Sequence, residues 1–415
     1  MEKVYDKCCG LDVHKKLLVA CFKSGRKQEI KEFGTSTKEI NRMTDWLKEA
    51  GCEMIAMEST GSYWKPVYNI IEESGLKAIV VNAQHMKAVP GRKTDVKDSE
   101  WIADLLQHGL LNASYIPDKE QRNLRELTYY RKKLVEEEAA ELNRLQTKLE
   151  SANIKLSGTL SNINGKSARN ILEVMLSGEK IDINKLNQMI KEKKVSSNLK
   201  ATKEQIVEDC EGVLTQSQKL VVQEMLDHID ELEKHIKNLS DEIDNSMNSD
   251  EKKSVEAISE IPGIGKESAE VIISVIGTDM DRFPTDNHIS SWAGLAPGNN
   301  ESAKKRKRGK TTKGNNALKS TLVVCAHSAV RVKNSYFGAE FARISAHRGR
   351  QRAFVAVAHS ILIAIYHILK EGCKFVDLGS DYYIRFNKER KAEGCLKKLK
   401  QLGYAANIAT IAELA

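Results

Sequence analysis

Residues 4–33, VYDKCCGLDVHKKLLVACFKSGRKQEIKEF, decide the fold of the amino-terminal part. Three apolar-rich stretches, at 4–13, 17–22 and 29–33, follow one another through short turns, one of them Ser24-Gly25. Short runs rich in β-formers and separated by turn residues predict strands, and connections this short predict an antiparallel meander. Outward from it, residues 53–58 and 76–82 are further strand candidates. Helices fit at 37–50, with Ser36 or Thr37 as N-cap and Glu39 in the first turn, and around 64–74 and 95–106.

The resulting order β-β-β-α-β-α-β-α is that of the ribonuclease H-like α/β fold. After Pro117 the period changes. Leu124, Leu127, Leu134, Leu142, Leu145 and Leu149 suggest a long amphipathic helix. Val222, Met225, Ile229, Leu232, Ile236, Leu239 and Ile243 alternate spacings of three and four, the coiled-coil pattern. The spacing leaves open whether these helices pair within one chain or between chains. Residues 151–215 read as a polar insert with short helical stretches. From 255 onward, IPGIG (261–265) interrupts an apolar helical pattern, a helix-hairpin-helix-like element. Its N–H groups suit phosphate, but a plain turn between packed helices fits equally. The expected domains are 1–115, 116–250 with the insert, 251–385, and a helical tail at 386–415.

Composition narrows the function. The 415 residues carry 65 Lys plus Arg and 57 Asp plus Glu, a net charge of +8. Residues 1–250 sum to −3 and residues 251–415 to +11, so a polyanion partner is expected on the second part. No uninterrupted apolar run approaches spanning length, and the start has no apolar signal region, so neither a membrane span nor export is expected. The eight Cys include no C-x-x-C pair, which argues against a zinc ribbon and fits a reducing cytoplasm.

Four acids stand out. Asp12 ends the first strand in GLDVH (10–14) and Glu58 ends the fourth in IAMESTG (55–61). Asp95 and Asp98, in KTDVKD (93–98), share one face at a helix start. Converging carboxylates repel unless cations sit between them, and hard oxygen donors of this kind suit Mg²⁺ or Mn²⁺ acting on a phosphate. Taken singly, each acid has an ordinary alternative: Asp95 as an N-cap, Asp12 or Glu58 as a solvated strand end. His14 beside Asp12 reads first as a polar strand-end residue.

The second constellation is WAGLAPGNNES (292–302), running into AKKRKRGKTTKGN (303–315). Seven of the ten residues from 304 to 313 are basic: Lys304, Lys305, Arg306, Lys307, Arg308, Lys310 and Lys313. Ser302 is a nucleophile only if a base or neighbouring cations assist it. On chemistry alone, phosphate binding by this run ranks above catalysis by the serine, and a nuclear-localisation signal also fits the charge. Further on, Arg343, Arg348, Arg350 and Arg352 suit either nucleic acid or a solvated face, and Tyr382 and Tyr383 suit either base stacking or core packing.

Together and in this order, the two motif sets resemble the DEDD-type insertion-sequence transposases, the family associated with bridge-RNA-guided recombination. Asp12, Glu58, Asp95 and Asp98 match its four acids in a Ruv-C-like domain, and 292–297, 299–302 and 313–315 resemble its serine-containing segment. Lys304 departs from the family, where Gly often follows the Ser-Ala pair. The resemblance implies DNA cutting and rejoining, with Ser302 forming a phosphoserine and metal at the four acids assisting. It also implies a structured noncoding guide RNA, dimers assembling to tetramers, active sites shared between subunits, and a bacterial cytoplasmic, nucleoid-associated location. Rival readings are a metal-dependent junction-resolving nuclease, a DNA invertase, and an inactive nucleic-acid-binding scaffold.

Overall fold

The computed structural model describes residues 4–59, 61–82, 98–297, 301–302, 305–306, 311, 314–386 and 388–403, those at 301–302, 305–306, 384, 386 and 388–391 by their backbone only. The chain divides into two compact units, residues 1–118 and 119–415.

The first unit is built on strands β1 (Lys7–Val13), β2 (Leu18–Ser24), β3 (Lys27–Phe33), β4 (Met54–Glu58), β5 (Ala78–Val81) and β6 (Ala113–Ser114). They form one sheet in the order β3-β2-β1-β4-β5-β6. The first three are the expected antiparallel meander, while β4 pairs parallel to β1 and β5 parallel to β4. This is the ribonuclease H-like arrangement. The short antiparallel edge strand β6 has only two residues, too few to show an alternation in the sequence.

Alternation along the strands gives the sheet two buried faces. On one, Cys9, Leu11, Ile55, Met57 and Val80 pack on helices α1 (Thr37–Glu49) and α2 (Trp64–Glu73) through Ile40, Met43, Leu47, Val67 and Ile71. Ser36 caps α1, its hydroxyl accepting from the Glu39 N–H at 3.4 Å. On the other face, Cys8, Ala56 and Val81 pack on Ile102 and Leu106 of α3 (Asp98–Gln107). Gly10 lets α3 approach: a Cβ there would overlap the Ser99 carbonyl and the Ala103 N–H. The Lys23 ammonium also pairs with Asp104 of α3.

The second unit begins with two long helices, α4 (Lys119–Ser151) and α9 (Gln216–Ser246), packed antiparallel within the chain. Val222, Ile229, Leu232 and Ile243 of the predicted seam are buried. Between the helices lie α5 (Leu156–Thr159), α6 (Lys166–Ser177), α7 (Ile183–Lys191) and α8 (Lys203–Asp209). The stretch that reads as polar has a core of its own. Ile154, Ile171, Leu172, Leu186 and Ile206 close over Leu145, Leu149, Val222, Leu226 and Ile229 at the ends of α4 and α9.

At the opposite end of the pair, a larger core joins α10 (Ser249–Ser259), α11 (Lys266–Ile276), α12 (Asp286–Trp292), α13 (Asn316–Ala329), α14 (Tyr336–Arg348) and α15 (Arg350–Glu371). Against the expectation that no apolar run approaches spanning length, helix α15 is long and apolar enough to cross a membrane by length and composition. Its Val357, Ala358, Ile361, Leu362 and Ile365 lie in this core. Arg131 of α4 makes an ion pair with Glu270 of α11, Nη1 to Oε2 at 2.6 Å, with side chains 3% and 2% exposed.

The IPGIG turn joins α10 to α11, and Gly263 (φ +90°) lies beneath α13, where a Cβ would stand 2.5 Å from the Cys325 carbonyl. Packing, rather than an open phosphate cradle, is what this glycine serves. Helices α16 (Tyr382–Phe386) and α17 (Lys388–Gln401) end the described chain. Tyr383 is no open stacking platform: its ring stacks on Tyr336 at 5.4 Å and its hydroxyl donates to the Tyr336 oxygen at 2.7 Å.

Candidate active site

Asp12 lies one residue before the end of β1 and Glu58 ends β4. The parallel register pairs Gly10 with Ala56 and Leu11 with Met57, so its next step sets Asp12 beside Glu58. Adjacent strands lie about 4.8 Å apart. Asp12 has the parity of Cys8 and Gly10, and Glu58 that of Ala56, so both belong to the face that α3 covers.

Helix α3 runs antiparallel to β1. Ala103 accepts from the Cys8 thiol at 3.8 Å, and Ser99, one turn nearer the helix start, lies over Gly10. The start of α3, Asp98, therefore reaches the Asp12 end of the strand. Asp98 and Glu100 in its first turn meet the positive end of the helix dipole. His14 Nε2 lies 3.0 Å from Asp12 Oδ2, and in the tautomer protonated there the imidazole donates to the carboxylate. The Asp12 side chain is 23% exposed and that of His14 61%.

Asp95 lies outside the described residues. Among the described residues no three His, Cys, Asp or Glu side chains converge as a metal-holding group. The chemistry of the donors present still fits a hard divalent cation. Carboxylates at neighbouring strand ends repel each other, and a cation between them reverses that sign.

Ser302 belongs to the second unit. Glu301–Ser302 (β7) pairs antiparallel with Lys305–Arg306 (β8), matching Ser302 to Lys305, and Pro297 bridges Thr311 further down the ribbon. Lys304, Lys307, Arg308, Lys310 and Lys313 lie outside the described residues.

The base of the ribbon is held firmly. Gly314 lies on the 292–294 turn: a Cβ would stand 2.6 Å from the Trp292 carbonyl and nearer still to the backbone of Ala293 and Gly294. Asn315 caps α13, accepting from the Leu318 N–H at 3.0 Å, and its Nδ2 donates to the Tyr129 hydroxyl of α4 at 3.1 Å. Lys319 donates to Thr311 Oγ1 at 2.6 Å. Lys132 of α4 donates to Ser320 Oγ at 2.5 Å and Thr321 Oγ1 at 3.0 Å, and burial draws its ammonium below the ordinary lysine range. The 292–294 turn and Gly314-Asn315 thus form the two halves of one clamp.

A DEDD transposase model of the IS110 type matches residues 9–154. A second model, described as "Transposase IS116/IS110/IS902 family", matches residues 255–342. The chain belongs to this transposase family.

The first match spans Asp12, Glu58, Asp95 and Asp98, and the second spans Ser302 with its clamp. Cutting and rejoining DNA is accordingly the transposase's activity class, and nuclease folds of this type generally use divalent metals. No curated protein matches the chain. Among solved structures, T. thermophilus RuvC in complex with Holliday junction substrate is similar at 13% identity, over 26% of this chain and 100% of that one. The TM-score of 0.20 is too low for that likeness to carry an argument.

Sequence reasoning missed Tyr129, Lys132 and Lys319 of the transposase, because each acts on residues distant in the chain or on a ribbon too short to show a strand pattern. The role of Gly314 has no local signal either, because it depends on the 292–294 backbone about twenty residues earlier. Gly314→Ala is expected to destabilise the transposase by about 1–3 kcal/mol through overpacking against the 292–294 backbone, read as a lowered midpoint in thermal melting.

Proposed function

We propose that this transposase cuts and rejoins DNA through a phosphoserine at Ser302, assisted by a divalent metal, Mg²⁺ or Mn²⁺, held by Asp12, Glu58, Asp95 and Asp98. The observation that carries the reading is the placement of Asp12 and Glu58 side by side on the α3 face of the sheet, where the Asp98 end of α3 also arrives. An ion held by these carboxylates would supply Lewis-acid polarisation of a scissile phosphate.

The Ser302 oxygen forms a bond to phosphorus as the bond from phosphorus to the departing sugar oxygen breaks. The serine proton leaves to solvent and the departing oxygen is protonated in turn. Lys304, Lys305, Arg306, Lys307, Arg308, Lys310 and Lys313 neutralise the non-bridging phosphate oxygens. Attack of a second DNA end on the phosphoserine restores the serine and joins element to target. A structured noncoding RNA selects the sites, and the acids of one subunit work with the serine of another in a tetramer assembled from dimers. These assignments follow the resemblance read from the motifs, and the setting is the bacterial cytoplasm.

Incubation of the protein with labelled element-end DNA, run on a denaturing gel, tests the proposal. A slow band of DNA covalently bound to protein is expected with Mg²⁺, and it should vanish with chelator or in Asp98→Asn. Hydrolysed ends without that band would instead show a metal-dependent nuclease, and cleavage at full rate in chelator would sink the metal's role.

A further inference from the structure

Residues 302–370 contain fifteen Lys or Arg and one Asp or Glu, a net of +14, while the rest of the chain sums to −6. The serine ribbon accounts for only seven of the fifteen. The one acid, Glu340, is buried, accepts from the Ser360 hydroxyl at 3.0 Å, and is pushed above the usual carboxylate range by that burial. It offers little negative charge to the surface.

Part of the remaining charge gathers where three helix ends meet. Helix α14 ends at Arg348 and α15 begins at Arg350, with Gly349 (φ +82°) alone between them. The His327 ring, in the last turn of α13, stacks on Phe354 near the start of α15 at 3.5 Å, which brings Arg331 to the same corner. Phe341 of α14 packs on Phe354 from the other helix at 4.5 Å.

Arg331, His347, Arg348, Arg350 and Arg352 are all exposed there. Among the described residues none of the four arginines has a carboxylate within ion-pair distance. Arg343, over the Tyr383 ring at 4.4 Å, is committed elsewhere. An ordinary solvated face mixes signs, as α17 does with Glu393 beside the exposed Lys397, Lys398 and Lys400. A corner of guanidinium groups alone repels itself until a polyanion arrives. Arginine's planar fork, furthermore, matches a phosphate's oxygens better than lysine does.

We propose that the α13–α14–α15 corner is a second phosphate grip, apart from the serine ribbon, which holds the sugar–phosphate backbone of a nucleic acid without reading bases. It goes beyond the catalytic reading and does not depend on Ser302.

The test is equilibrium binding of the full-length protein in chelator, across a salt series, to random-sequence duplex DNA and separately to a structured RNA hairpin. Each phosphate contact contributes about 0.9 to the slope of log affinity against log salt on duplex DNA. Arg348→Gln/Arg350→Gln/Arg352→Gln should therefore flatten the slope by about 2 to 3 on the nucleic acid that the corner holds. Loss with DNA alone or RNA alone identifies which backbone it takes. Lys180→Gln/Lys191→Gln/Lys193→Gln removes the same charge from exposed sites elsewhere and should leave the slope unchanged. An unchanged slope on both probes in the arginine variant, or an equal loss in the lysine control, would overturn the proposal. Because cleavage is not measured, failure here leaves the serine chemistry standing, and failure of the covalent-band experiment leaves this one standing.

Discussion

Ser302→Ala is expected to abolish the covalent protein–DNA band and to lower strand exchange by about 10⁴-fold or more. A missing nucleophile leaves only what binding and charge stabilisation supply, and losses of this order follow its removal from enzymes that work through a covalent serine. That factor corresponds to about 5.5 kcal/mol of barrier. DNA affinity should change little, since the hydroxyl is one neutral group beside seven cations. Asp12→Asn should cost a comparable factor, and the double variant no more than the worse single, because groups serving one step are not additive. Single-turnover rates on element-end DNA decide this. Losses that multiply would show that acid and serine act in separate steps.

The second large effect concerns stability. Arg131→Met should destabilise the second unit by about 3–5 kcal/mol, the cost of leaving a buried charge without its partner. Arg131 also donates to Ser240 Oγ and to the Glu267 carbonyl, both at 3.3 Å, so it ties α4 to α9 and α11 together. Burial holds the Glu270 carboxyl above its usual range even though Arg131 and Lys266 pull it down. A carboxyl raised by folding favours the native state below its unfolded pKa, and that contribution is lost as pH rises through the folded value. Removing Arg131 leaves the raising influence less opposed, so the variant's deficit should be greater near neutrality than in mild acid. Denaturant melts at two pH values measure it. Arg131→Met/Glu270→Leu should recover most of the loss; no recovery would mean that Arg131 acts through its other hydrogen bonds.

What could be read in advance follows from range. The meander and the strand-end positions of Asp12 and Glu58 were legible because runs of β-formers, short turns and a terminal acid are local signals. The reason for Gly10 was not, since it depends on Ser99 and Ala103 about ninety residues on. Residues 151–215 read as polar because their apolar side chains are dealt out over helices of four to twelve residues, too short for a sustained period. Tyr383 was ambiguous for a similar reason: its partner Tyr336 lies in another helix, and an aromatic beside an arginine looks alike whether it faces a base or a ring.

The core at the far ends of α4 and α9 has a consequence for descent. Leu145, Leu149, Val222, Leu226 and Ile229 belong to the long helices, yet it is residues 154–206 that cover them. The insert is a stopper rather than an appendage. A lineage that lost it in one deletion would bare five apolar side chains at once, so shortening and polar replacement at those positions must arrive together. A viable truncated descendant should carry both marks.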